Sequence, residues 1–541
     1  VRPAVKVAAL ALHSIMANIN PHETEKILVK VERKKPEETA TEQCASIFDL
    51  RFDPRQNKDS HKNLYPQILA CIAAASFHLP VGIVVAFSAI LIPQLEAPDS
   101  EIPVTKDQTA WIASLAVLVV PFGAFLCGTL VDKIGRLNTI KVACVPYMIG
   151  WVLIATASNI YMIYIGRFLT GFAIAMGPSP AIVYITEVAR ADLRGSLICT
   201  GPSMTSLGML FVYIKGSMLP WRIVAWTGIL YCAIPVFLMF LWSPESPLWL
   251  CSKGRTEEAL KALQFLARKE TEQGLPEKQL AQMQREVNSK KPAVPTSMFM
   301  TIIKGYSKPT GYKPLLILIA LFFFQQYAGI YITIFYAVTF FEEVKSGFNP
   351  YVSTILIGLI RMLIGLLTSV LLQRFGRRTL CMCSGTGMAI VLTISGYYTW
   401  QIATGVIEHS IIPVICMLTY MSLSVIGLMS IPWTMTAELF PMEIRGFSQG
   451  FIVSLAHVIM FSALQIYRTL PDLLGGSHGV QWLFAGMSML SVLFVFIFLP
   501  ETHKKMLYEI QDYFNNNTIY LMQKPTKKTR SPTNNNRNNV V

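Results

Sequence analysis

Two adjacent glutamines, Gln325 and Gln326, stand in the otherwise apolar run LFFFQQYAGIYITIFYA over 321–337. An amide left without partners in an apolar medium costs roughly 2–7 kcal/mol. Side chains of this type must therefore meet polar groups of other helices or of a bound ligand. Each amide carries one acceptor oxygen, two donor hydrogens and no net charge. A hydroxyl both donates and accepts, so the pair suits an uncharged polyhydroxylated ligand better than an ion. Helix-to-helix hydrogen bonding, worth about 0.6–2 kcal/mol in membranes, is the other use. Adjacent residues point about 100° apart on a helix, so the two need not share one role. Nothing resembles a nucleophile–base set, and Cys381-Met-Cys383 has no accompanying His or second pair. Neither an enzyme nor a bound metal or cofactor is expected.

The elements that must position these residues are membrane spans. Of 541 residues 53% are hydrophobic and only 14% charged, with a mean hydropathy of +0.46; soluble domains carry about 25% charged residues. Apolar runs long enough to span a bilayer fall at 66–92, 109–131, 140–158, 161–184, 196–218, 222–242, 315–340, 351–373, 380–400, 410–435, 447–470 and 481–499. These runs predict an all-α membrane protein of twelve transmembrane helices. Five segments follow: a tail over 1–64, a first bundle over 65–242, a linker over 243–314, a second bundle over 315–500 and a tail over 501–541. The segment VAALALHSIMANI (7–19) lacks a clear cleavage site and does not read as a signal peptide. Lys and Arg crowd the loops after spans 2, 6 and 8, whereas the loop between spans 1 and 2 is acidic. That bias predicts cytoplasmic tails and even-numbered loops. It also accounts for the net charge of +14 without a nucleic-acid partner. No cysteine falls in an expected external loop, so no disulfide framework is expected.

Three signatures occur twice in the same order. VDKIGRL (131–137) is echoed by LQRFGRR (372–378), EVARADLRG (187–195) by ELFPMEIRG (438–446), and PES (244–246) by PET (500–502). The six spans before the linker therefore repeat as the six after it, the pattern of parallel repeats about an axis along the membrane normal. Asp132, Arg136, Glu187, Arg194, Glu245, Arg377, Glu438, Arg445 and Glu501 all fall at the cytoplasmic helix ends. Opposite charges there can pair across helices when that side is closed and must part when it opens, biasing a two-state equilibrium. In the linker, RTEEALKALQFLARK (255–269) has the spacing of an amphipathic surface helix. Arg167 starts or lies just inside span 4, and a charge at mid-bilayer costs at least about 2.5–3.5 kcal/mol.

These motifs resemble the sugar-porter branch of the major facilitator superfamily, and most of all its insect facilitated trehalose transporters. The matching pieces are GRFLTGF (166–172), YITEVARADLRG (184–195), PESPLWL (244–250), QQYAGI (325–330), IPWTMTAELFP (431–441), GSHG (476–479) and PET (500–502), within about residues 64–514. The resemblance implies a cell-membrane carrier whose two halves rock about a central sugar site, with trehalose or a hexose as cargo and sugar and lipid as partners. It implies that Gln325, Gln326 and Trp433 line that site, and that Phe335 and Tyr336 form an outer gate. The chain departs from the pattern at the site: Tyr331 replaces an Asn, Pro202 a Gln, and Ala456–His457 an Asn–Trp pair. Gln373 stands where the second loop motif has an acid, and Leu137 where the first has a base. These changes remove hydrogen-bonding groups and add bulk, which leaves a sugar sensor or scaffold on the same fold as an alternative. Span 1 has no Asp or Glu between Ile68 and Ile92, where proton-coupled relatives carry a carboxylate. Uniport is therefore the expectation, with a symporter using His78 or His457 as the rival. Oligomeric state is left open.

Overall fold

In the computed structural model, the described residues are 65–267, a few positions between 276 and 284, and 298–520 apart from 442, 504, 506 and 518. The tail expected over 1–64 and the C-terminal NNNRNN lie outside them. Among the described residues, eleven helices are long and apolar enough to cross a membrane. Those of the first half are Tyr65–Glu96, Lys106–Ile134, Arg136–Ala155, Ile160–Val188, Leu193–Gly216 and Trp221–Leu241. Those of the second are Pro350–Arg374, Arg377–Ala403, Ile412–Glu438, Arg445–Tyr467 and Ser477–Phe498. They are spans 1–6 and 8–12 of the expected twelve.

Span 7 differs from the single helix expected over 315–340. It is three pieces, Pro309–Tyr327, Ile330–Phe335 and Ala337–Val344. The first break has a clear cause. Gly329 takes a left-handed conformation (φ 84°), which costs a residue with a Cβ roughly 1–2 kcal/mol, and a Cβ there would stand 2.3 Å from the Phe484 ring. The second lies at Tyr336, whose backbone (φ −119°, ψ 28°) is also off the helical values. Span 10 breaks likewise between its pieces Ile412–Ile426 and Ile431–Glu438. Spans 1 and 4 bend where Ser76–Phe77 and Gly177 interrupt them, just before Pro80 and Pro178. Spans 1, 4, 7 and 10 hold equivalent places in the two repeats.

Within each half the spans pack into one bundle, and the halves meet where span 1 packs on span 7, span 2 on span 11 and span 5 on span 8. Phe122, Phe125, Phe237, Phe240, Leu363 and Leu366 are all at least half exposed, as side chains turned to lipid must be. In the linker, the helix expected over 255–269 is found as Thr256–Ala267. Its Ala259 and Ala262 bury Trp249 and Leu250 in a small separate core. Part of the expected C-terminal tail is ordered: helix Leu507–Asn516 buries Ile510 and Phe514, and Lys313 Nζ donates to the Phe514 and Asn517 carbonyls at its end. The end of the molecule carrying the repeated Arg–Glu sets is called the inner end below, following the Lys/Arg bias.

Candidate substrate site and gates

Breaking spans 7 and 10 frees backbone carbonyls, which in a bilayer must find donors inside the protein. Each broken span serves the other. The Gln325 amide donates one hydrogen to the Leu428 carbonyl and one to Met429, both at 2.8 Å. In return, the Tyr420 hydroxyl of span 10 donates to the Ala328 carbonyl at 2.7 Å. Ser384 of span 9 completes the joint, accepting from the Leu428 N–H and donating to the Leu423 carbonyl. The donors of Gln325 are thus fully committed to architecture, and it is 0% exposed. Gln326 donates once, to Gln325 Oε1 at 3.2 Å, and its own Oε1 is buried without a partner. The two amides, indistinguishable in sequence, are in different states.

One turn away, the Trp433 ring N–H donates to the Tyr331 hydroxyl at 3.0 Å. The Trp433 ring meets Phe322 and His457 edge-on at 4.9 and 5.5 Å. The four residues expected at a ligand site therefore lie together on spans 7 and 10, with Tyr331 occupying the indole donor. Sequence reasoning passed over Arg361 of span 8. Its Nη1 is buried without a hydrogen-bond partner, and its charge is within electrostatic range of Tyr331 and Tyr213.

At the inner end the repeat is reproduced almost bond for bond. Arg136 forms a bidentate pair with Glu187 (2.8 and 3.0 Å), and Arg377 pairs with Glu438 at 3.0 Å. Each guanidinium also donates to a carbonyl five residues upstream, Val131 or Leu372. Each glutamate also accepts a hydroxyl: Ser246 donates at 2.5 Å to Glu187 Oε2, which Arg136 Nε shares, and Thr502 donates at 2.7 Å to the Glu438 oxygen that Arg377 leaves free. Glu245 and Glu501 serve as anions at helix N-termini. Glu245 accepts from the N–H groups of Arg136, Leu137 and Asn138, and Glu501 from those of Arg377 and Arg378. The glycine of each loop motif makes room, because a Cβ on Gly135 or Gly376 would lie 2.6 or 2.2 Å from the carboxylate oxygen.

These pairs link helices within one half, and among the described residues no ion pair joins the halves at the inner end. Asp132 stands outside the set: its side chain is exposed, and only its backbone carbonyl is used, by Trp249 Nε1. Arg194 and Arg445 donate to the nearby carbonyls of Ala189 and Phe440.

The outer end is where ion pairs cross between halves, a lock the sequence did not announce. Arg468 of the second half pairs with Glu96 of the first at 2.5 Å, and Lys106 of the first with Asp472 of the second at 3.0 Å. Arg468 also approaches Glu343 at 3.9 Å, which accepts from Tyr467 and Ser477. Phe335 and Tyr336 are buried beside this lock. Tyr336 lies against Tyr467 (4.9 Å between ring centroids) and donates to the Leu464 carbonyl, and Tyr213 of span 5 reaches the Ile334 carbonyl at 3.0 Å.

Arg167 lies deep in the first half, not at the inner end. Fully buried, it donates to the Ile112 and Val84 carbonyls and, at 2.6 Å, to the Ser88 hydroxyl. All three partners are neutral. His78 and His457 each hold a carbonyl of their own helix through Nδ1.

Two repeated bundles of six spans, broken helices meeting at a buried polar joint, and ion pairs that cross between the halves at the outer end define a secondary transporter of the major facilitator fold. The chain belongs to the family described as "Sugar (and other) transporter", whose profile matches residues 44–514. A facilitated trehalose transporter Tret1-2 homolog of Drosophila sechellia is 31% identical over 450 residues, 83% of this chain and 90% of that protein. A facilitated trehalose transporter Tret1 of Drosophila yakuba is 31% identical over 456 residues, 83% of this chain and 52% of that protein. The fold is that of the xylose transporter XylE from E. coli in an inward-open conformation, with a TM-score of 0.66 at 22% identity, covering 82% of this chain and 98% of that one.

Proposed function

We propose that this sugar-transporter family member is a facilitative carrier in the cell membrane. Its tails face the cytoplasm, and its two halves expose a central site to each side in turn. The proposed cargo is a sugar, with trehalose, named for the relatives, or a hexose as the first candidates. The observation that carries this reading is the joint of spans 7 and 10. There, Gln326 has an unpartnered acceptor one turn along span 7 from Phe322, whose ring meets Trp433, and Trp433 holds Tyr331. A hydroxyl of a polyol donates to that oxygen, and its ring carbons pack on the indole. Gln325 acts in this reading as the positioning residue of the joint, and Tyr331 is displaced from Trp433 or turned when sugar enters. Phe335 and Tyr336 close the outer side. Arg136, Glu187, Glu245, Arg377, Glu438 and Glu501 hold the inner ends of each half rigid, so that the halves rock as bodies, while Asp132, Arg194 and Arg445 form the contacts across the inner end when it shuts.

Uniport follows from the neutral partners of Arg167 and from the lack of any Asp or Glu between Ile68 and Ile92 of span 1. A proton gradient can act only on a group whose protonation differs between the two states. The test is counterflow of radiolabelled trehalose and hexoses in proteoliposomes, with and without a pH gradient. Exchange unaffected by the gradient is expected. Failure of every mono- and disaccharide to exchange overturns the carrier reading, and gradient-driven accumulation overturns uniport.

A further inference from the structure

Two arginines, Arg167 and Arg361, lie in the middle of membrane spans, and no carboxylate lies deeper than the terminal turn of any span. An ionised side chain inside a membrane span marks a ligand or ion pathway unless protein groups take up its donors. The two arginines contrast on this point. All three Arg167 nitrogens donate to protein oxygens, at 2.6 to 3.0 Å. Arg361 Nη1 is buried and has no partner, and among the described residues no carboxylate forms an ion pair with Arg361.

The position of Arg361 is well defined. It lies on the same stripe of span 8 as the buried Thr354, Ile357, Gly358 and Thr368, away from the lipid-facing Leu363 and Leu366. One turn earlier, Gly358 lets span 8 close onto span 5, since a Cβ there would lie 3.0 Å from the Tyr213 ring. The guanidinium thus stands between spans 5, 7 and 8, with Tyr213 and Tyr331 within electrostatic range, and Tyr331 is the hydroxyl that Trp433 holds. Tyr331 links it to Trp433, and it brings a planar donor fork of the geometry that fits a carboxylate.

We propose that Arg361 is an anion-binding subsite of the central cavity, so that a sugar carrying a carboxylate, a hexuronate, binds more tightly than the neutral hexose of the same ring. This rests on the carrier reading above and narrows its cargo. The carboxylate takes the Arg361 fork while the ring hydroxyls reach Gln326, and the cargo itself neutralises the buried charge.

The test is counterflow by the full-length reconstituted chain, with glucuronate and glucose measured in the same vesicles. Wild type is expected to exchange glucuronate at a half-saturating concentration about tenfold or more below that for glucose, the scale of one charge-assisted hydrogen bond. Arg361→Gln is expected to abolish that ratio, and Arg361→Lys, which keeps the charge, to retain most of it. Quenching of tryptophan fluorescence by glucuronate in detergent gives the same comparison for a variant that reconstitutes poorly. Equal affinities in wild type, or a preference unchanged in Arg361→Gln, overturn the subsite while glucose exchange leaves the carrier reading intact. Exchange of neither sugar overturns both.

Discussion

The sharpest expectation concerns two neighbours of identical chemistry. Replacing Gln325 by Leu removes both donors serving Leu428 and Met429 and the acceptor that Gln326 uses. Three bonds vanish, and two main-chain carbonyls in the membrane interior are left without partners. An orphaned buried group costs about 1–3 kcal/mol, while membrane interhelical bonds average nearer 0.6 kcal/mol. The sum for Gln325→Leu is about 2–4 kcal/mol. Gln326→Leu loses one 3.2 Å bond but also removes an acceptor that is already unsatisfied, so its stability should stay within about 1 kcal/mol of wild type. Its sugar affinity should fall roughly tenfold or more, the scale of a ligand hydrogen bond lost in a dry site. Unfolding of the purified protein in SDS measures the first quantity, and counterflow at varied sugar concentration the second. Equal destabilisation by the two variants, or a Gln325→Leu protein as stable as wild type, refutes the reciprocal joint.

Three further outcomes are expected. Ser246→Ala and Thr502→Ala each remove the hydroxyl from an already paired glutamate, about 1 kcal/mol apiece, and Ser246→Ala also removes the acceptor that caps the Trp249 N–H, so it should cost the more; a Ser246→Ala protein more stable than Thr502→Ala would contradict this. Arg468→Ala leaves Glu96 and Glu343 facing each other unpaired and should increase labelling of a cysteine at Tyr336 from outside; unchanged labelling removes Arg468 from the lock. Replacing His78 or His457 by a neutral residue should leave transport independent of a pH gradient, as in wild type; appearance or loss of gradient dependence would identify a proton-coupled step.

Hydropathy located eleven spans closely because each is one continuous apolar run, and it missed the form of span 7 because a left-handed glycine changes direction without changing polarity. The clustering of Gln325, Gln326, Tyr331 and Trp433 follows from motif resemblance, but their division of labour does not. Gln325 meets carbonyls 103 and 104 residues away, and carbonyls have no letter in a sequence. For Ser246 and Thr502 a signal existed: the third residue of PES and PET is a hydroxyl in both. The outer lock had no such signal, because Glu96 and Arg468 are single charges at span ends and nothing in either letter tells which charge of the other half it meets. Arg361 was visible as the one charge inside ILIGLIRMLIGLL (355–367); averaging hydropathy over the window concealed it.

The central claim is that the two ends open reciprocally about the joint of spans 7 and 10. Spin labels at the exposed inner positions Lys133 and Gln373, and separately at the exposed outer positions Asp99 and Glu408, report both ends in the same reconstituted protein. On adding transported sugar, the inner distance should shorten as the outer one lengthens. Distances that stay fixed at both ends, or that change together in the same direction, contradict it.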